Sequence, residues 1–240
     1  MRWLRKLGPL GPLAILSVSI PPLSGLLLLG TMNRLGPWLR DVQEPGLVLY
    51  LAGFTLLGGF GLLPTYAQSM LGGWAFGVAI GFPAALAGFV GAALVGYALA
   101  RRISGDRLEV LLAQHTKWNA VYEALLRSDL LKAWLIVTLL RLPPNAPFAA
   151  SNVAMAALRV PVVPFALGTI VGMAPRTFVV VYAGAGLATL DLANRAQTGW
   201  FAAGLGATVF AVAVIGWMAN RALRKVELAA GVTPQEASLD

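Results

Sequence analysis

The chain has 240 residues, of which 58% are hydrophobic and only 12% charged, with 18 Lys and Arg against 10 Asp and Glu and a net charge of +8. About a quarter of a soluble domain is charged, so this composition excludes a water-soluble globule and implies an integral membrane protein. The basic residues cluster at the ends of apolar stretches, as topology signals and lipid-headgroup contacts do, which argues against nucleic acid; with no cysteine and one histidine, His115, disulfides, thiolate ligands and multi-histidine metal sites are excluded.

Uncharged stretches run from Leu7 to Asn33, Pro45 to Ala100 and Ala196 to Asn220. A bilayer helix needs roughly 20 apolar residues. Arg2, Arg5 and Lys6 precede the first stretch as in a signal peptide, but no small-x-small cleavage site ends it. An uncleaved transmembrane helix is therefore expected at about 11–30, followed by an outer loop at 31–46. In that loop Arg34 and Arg40 balance Asp41 and Glu44.

The block from 47 to 81 carries Gly58, Gly59, Gly61 and Pro64 near its middle. These residues break a helix, so the block reads as two antiparallel pieces or a re-entrant hairpin. A spanning helix at 82–101 returns the chain to the basic group Arg101, Arg102 and Arg107. The region 104–131 alternates Leu108, Leu111, Leu112, Trp118 and Tyr122 with Arg107, Glu109, Lys117 and Glu123 at helical spacing. It is expected to be an amphipathic helix on the cytoplasmic face, with His115 on its surface.

From 133 to 159 two apolar arms of about ten residues flank Pro143, Pro144 and Pro147. Such arms are too short to span, and the prolines cannot continue a helix, so a second re-entrant hairpin is expected. Spanning helices at 162–189 and 197–220 complete the chain. Placing the basic groups inside puts both termini in the cytoplasm. By this topology the hairpins enter from opposite faces. The interval from Pro64 to Gly88 equals that from Pro144 to Gly168. The expected fold is thus an all-α polytopic bundle with two opposed re-entrant hairpins in an inverted repeat. Residues 1–46 precede its core at 47–190, and 191–240 carry the last helix and a cytoplasmic tail.

Every acidic residue falls in an expected loop, terminus or surface helix, whereas Arg141, Arg159 and Arg176 fall in apolar segments. Intramembrane cations without carboxylates need carbonyls, water or an anionic ligand, and arginine matches phosphate oxygens bidentately. The candidate substrate-binding residues are Arg141, Arg176, Asn145, Asn152 and Arg159. Pro64, Pro143, Pro144 and Pro147 are the hairpin breakers. The competing readings are structural: Arg141 and Arg176 bonding hairpin carbonyls, Arg159 snorkelling to the interface, and both asparagines capping hairpin arms.

The run Leu139-Leu140-Arg141-Leu142-Pro143-Pro144-Asn145-Ala146-Pro147-Phe148, with Asn152 beyond it, resembles the arginine-proline hairpin of the DedA superfamily. It is most similar to the branch known as SNARE-associated Golgi, or VTT-domain, proteins. The stretch Leu167 to Gly184 resembles that family's glycine- and proline-bearing helix, and the stretch from Leu71 to Gly105 its first hairpin and following helix. The resemblance covers about residues 47–190. It implies opposed re-entrant hairpins, lipid translocation, and a functional arginine at Arg141. Two positions depart from the pattern: Val137 replaces an aromatic residue and Arg176 replaces a glycine. Bacterial relatives thought to use the proton gradient carry acidic residues in the first hairpin region, whereas none lies between Pro45 and Ala100 here.

The expected function is flippase- or scramblase-like movement of an anionic lipid headgroup, such as undecaprenyl phosphate or a phospholipid, in a bacterial inner membrane. The partners are membrane lipids, and no cofactor, metal or enzymatic step is expected. Rivals are a small-ion or solute transporter of the same architecture and a non-transporting membrane scaffold.

Overall fold

The structure is a computed structural model that describes residues 11–104, 129–143, 148–189 and 195–229. Among the described residues there are seven helices and no strand. They are α1 (Gly11–Asp41), α2 (Glu44–Gly59), α3 (Thr65–Ser104), α4 (Leu130–Arg141), α5 (Phe148–Ala157), α6 (Val162–Thr189) and α7 (Arg195–Ala229). Three of them contain stretches long and apolar enough to cross a membrane: Thr65–Arg102, Val162–Thr189 and Phe201–Ala222. Leu26, Leu27, Val163, Phe210 and Trp217 are all at least half exposed, an apolar surface suited to hydrocarbon rather than water.

The 40 residues of α3 are not one rod. Gly77 has φ 70° and ψ −176°, a left-handed backbone that an L side chain resists. The chain doubles back there. Gly72 and Gly81 lie backbone to backbone, although nine residues of straight helix would separate them by about 13 Å. Residues 65–76 are therefore a half-helix, and residues 78–104 form the spanning helix proper. Arg40, near the end of α1, donates from Nε to the Ala75 carbonyl (2.9 Å) and from a terminal nitrogen to the Trp74 carbonyl (2.6 Å). A cation thus satisfies the last carbonyls of the half-helix, where both the free lone pairs and the helix dipole favour positive charge.

Contacts along the helices give the directions. Phe54, Thr55 and Gly58 of α2 meet Gly88, Gly91 and Ala92 of α3, so these run parallel. Val137 and Arg141 of α4 meet Gly168 and Gly172 of α6, and these also run parallel. Phe82 pairs with Phe178 (5.5 Å between ring centroids) and Tyr97 with Phe165 (5.1 Å), so the spanning parts of α3 and α6 are antiparallel. The two helical hairpins, α2 with 65–76 and α4 with α5, therefore point in opposite directions. Their second arms cross over. Residues 65–76 lie on α6, with Gly73 against Val181 and Gly184 against Met70, and α5 lies on α3, with Phe148 beside Phe89 and Asn152 beside Gly96.

The first hairpin turns through residues 60–64, where Gly61 (φ 70°) and Pro64 stand, as expected from the glycines and proline. α4 ends at Arg141 and the buried Pro143 follows it. Pro144, Asn145 and Pro147 lie outside the described residues, as do 105–128 of the expected amphipathic region, His115 included.

Three expectations shift. The loop expected at 31–46 is helical as far as Asp41 although Pro37 lies within it, and helical again from Glu44; Leu35 and Leu39 pack against the first hairpin. The first hairpin closes at Gly77 rather than at about 81. Finally, α4 begins at Leu130, capped by the Asp129 carboxylate accepting from the Lys132 backbone N–H (2.9 Å).

Candidate functional site

The middle of the bundle is polar. Arg176 stands at the midpoint of the 28-residue α6, and Gly172, one turn earlier, faces Arg141. A Cβ on Gly172 would lie 2.5 Å from the Arg141 Cβ, so only a glycine there lets α4 seat its terminal arginine against the spanning helix. Arg141 is 2% exposed and Arg176 7%.

Burial of these two cations is not matched by anions. Among the described residues, neither forms an ion pair. One terminal nitrogen of Arg141 donates to the Asn152 side-chain oxygen. Its guanidinium lies over the rings of Phe148 (5.0 Å) and Phe165 (5.5 Å). Aromatic faces offer a cation partial compensation in a dry site. A terminal nitrogen of Arg176 faces the Met173 sulfur at 2.6 Å, and its guanidinium lies 6.0 Å from the Tyr66 ring.

Two buried donors, Arg141 Nε and Asn152 Nδ2, have no hydrogen-bond partner. An unpaired buried donor costs about 1–3 kcal/mol, more when charged. Both belong to the same Arg141–Asn152 pair, and both require an acceptor.

The half-helices add to the positive potential. Residues 65–76 start beside Arg176, since Tyr66 lies under that guanidinium. α5 starts beside Arg141, since Phe148 lies under that one. The two N-termini, with their positive dipole ends, approach the centre from opposite sides. The turn of the first hairpin reaches the start of α5: a Cβ on Gly61 would lie 3.2 Å from the Ala149 Cβ.

The structure thus brings together three of the five expected substrate-binding residues, Arg141, Arg176 and Asn152. Asn145 lies outside the described residues. Arg159 is elsewhere. It is exposed, with φ 53°, and occupies the left-handed position that closes α5. The Val160 N–H bonds to the Met155 carbonyl (3.1 Å) and the Arg159 N–H to the Ala156 carbonyl (3.2 Å), a complete Schellman motif with Pro161 after it. Arg159 is therefore a helix-terminating residue and is removed from the candidate site. Because a side chain in this backbone region costs about 1 kcal/mol relative to glycine, the gain from Arg159→Gly offsets the loss of the arginine's own interaction, so this variant is expected to melt close to the wild-type temperature in detergent and to leave function unchanged. A fall of several degrees would show that the side chain carries a needed contact.

Sequence reasoning missed Phe148, Phe165 and Met173, apolar residues that become partners of the arginines only through packing. It also missed Thr177, 1% exposed with an unpartnered hydroxyl, and Gln68, 2% exposed with an unpartnered side-chain oxygen. One signal was available. Phe54-Thr55-Leu56-Leu57-Gly58 repeats as Val137-Thr138-Leu139-Leu140-Arg141. Phe54 meets Gly88 as Val137 meets Gly168, and Thr55 meets Gly91 as Thr138 meets Gly172, the last glycine lying one position beyond the register of the first pair. On this alignment Arg141 is the counterpart of Gly58, so the charge belongs to the second half alone.

No group of three or more metal-ligating His, Cys, Asp or Glu side chains occurs among the described residues. In comparisons with known proteins, the family model described as the VTT domain matches residues 63–186. No curated protein and no solved structure matches.

Proposed function

This integral membrane protein belongs to the VTT-domain family, the domain of the DedA and SNARE-associated Golgi proteins, and we propose that it carries the anionic headgroup of a membrane lipid between leaflets. The observation that carries this reading is the surplus of donors at the centre. Among the described residues Arg141 Nε and Asn152 Nδ2 lack an acceptor and the two guanidiniums lack a carboxylate, while two half-helix N-termini converge on them. A phosphate supplies the acceptor oxygens that such a set requires, and its charge offsets two cations in low dielectric.

In this reading the two hairpins are re-entrant, entering from opposite faces and returning, and their tips meet at mid-depth. The inverted repeat presents the same site to either leaflet as one half rocks against the other. The site is closed here, so a headgroup enters only when the tips at Gly61 and Ala149 part. The protein acts as a carrier and not as an enzyme, with lipids as its partners. The clustering of its basic groups supports both termini on the cytoplasmic side, and the membrane is taken to be a bacterial inner membrane.

The test is leaflet exchange of fluorescent lipids in proteoliposomes, with a phosphatidylglycerol probe beside a phosphatidylcholine probe. Faster exchange of the anionic probe supports the proposal. Anion flux without exchange of either lipid would transfer the site to a solute-transport function, and no flux of any kind would leave the scaffold reading.

A further inference from the structure

A second feature lies away from the arginines. α1, α2 and residues 65–76 enclose a cavity of about 240 Å³ whose wall includes Leu28, Leu35, Trp38, Tyr50 and Phe54. No charged residue lines it. Its polar groups are the Tyr50 hydroxyl, which already donates to the Gln68 carbonyl (3.0 Å), and the Gln68 amide. Leu49, 52% exposed, and Trp38, 50% exposed, stand at its edge. The cavity is thus continuous with the apolar outer surface that Leu23, Leu26 and Leu27 extend along α1.

We propose that this cavity holds a hydrocarbon chain of a bilayer lipid. An apolar cavity does not retain water, which needs two to four polar partners. Left empty, its walls forfeit their dispersion contacts. At about 240 Å³ it is smaller than the roughly 300–1,000 Å³ pockets that take whole drug-sized ligands, so it suits a segment of chain rather than a headgroup. The solvent at its mouth is hydrocarbon.

The chain site is separate from the arginine site but connected to it by rings. Tyr50–Phe54 (5.5 Å), Phe54–Phe89 (4.8 Å) and Phe89–Phe148 (5.6 Å) form a continuous series that ends under Arg141. The proposal does not rest on headgroup transport.

Gly53 supplies the test. It lines the cavity, and a Cβ built on it meets nothing within 4 Å, so a larger side chain occupies the void without displacing backbone. The full chain is reconstituted in vesicles of phosphatidylcholine bearing a photoreactive diazirine on one acyl chain, and adducts are mapped by mass spectrometry. The expected result is a higher adduct yield on Tyr50, Gly53 and Phe54 than on exposed Val209 and Phe210 of α7. Gly53→Phe brings the α2 yield down to the α7 level. Gly30→Leu, which also points a side chain into open space but outside the cavity, preserves it. Equal yields on α2 and α7 in the wild type overturn the proposal whether or not Gly53→Phe folds, and so does an α2 yield that survives in folded Gly53→Phe. The probe is zwitterionic, so a folded Arg141→Gln variant keeps the adducts even where it loses anionic exchange. Failure of the chain site and failure of the headgroup site are thereby distinguished.

Discussion

Folded Arg141→Gln protein is expected to exchange anionic lipid about 10- to 100-fold more slowly than wild type, the loss that follows from removing one charge-assisted hydrogen bond of about 1.5–3 kcal/mol. Rates are read by fluorescence protection in proteoliposomes, normalised to folded protein. Stability separates this outcome from a structural role. A buried cation without a carboxylate adds desolvation cost to the fold, so its removal is close to neutral for stability. The exception is Asn152, whose side-chain oxygen then loses its donor. Glutamine retains an N–H that reaches toward that oxygen, whereas Arg141→Ala leaves it unpaired, at a cost of about 1–3 kcal/mol. Arg141→Lys keeps the charge but not the fork that serves Asn152 and a phosphate together, and it is expected to fall between wild type and Arg141→Gln. A folded Arg141→Gln protein exchanging at the wild-type rate would remove Arg141 from the mechanism.

The largest effect on the fold is expected from Gly184→Leu. Residues 65–76 and α6 approach backbone to backbone: a side chain at Gly184 runs into the Met70 carbonyl, and one at Gly73 into the Val181 carbonyl. In hydrocarbon, helices are held by such close packing, because lipid tails are as apolar as leucine. A rigid backbone neighbour cannot move aside as a side-chain end does. Overpacking of this kind costs about 3 kcal/mol. Gly184→Leu should therefore lose the single folded species in size-exclusion chromatography and melt well below wild type. Gly206→Leu on α7 is the control, since a Cβ there meets nothing within 4 Å. A Gly184→Leu protein that melts with wild type would mean that 65–76 does not lie on α6 as described.

The internal repeat shows how far the sequence could be read. Equal spacing of Pro64 to Gly88 and Pro144 to Gly168 pointed to two related halves, and the structure pairs Gly88 with Phe54 and Gly168 with Val137. The spacing could not show that the second arms cross over, each lying on the spanning helix of the other half. That arrangement depends on glycines 73 and 184, whose role is close approach, and close approach has no periodicity to read. Arg159 shows the reverse case. The sequence left it open between a substrate-binding cation and one snorkelling to the interface; its exposure, which agrees with the second, comes with the positive φ that ends α5.

The sequence by itself determined that the chain lives in a membrane, because so few charges cannot cover a water-exposed surface. It also determined where the hairpins break, because proline and glycine act on their own backbone. It singled out Arg141 and Arg176 as cations in an apolar setting, since charge is read directly from residue type. Tertiary structure alone decided that Arg176 meets the start of 65–76 and Arg141 the start of α5, that Asn152 meets Arg141, and that Arg40 closes the half-helix at Gly77. Those are contacts between residues distant in the chain, fixed by how the helices pack.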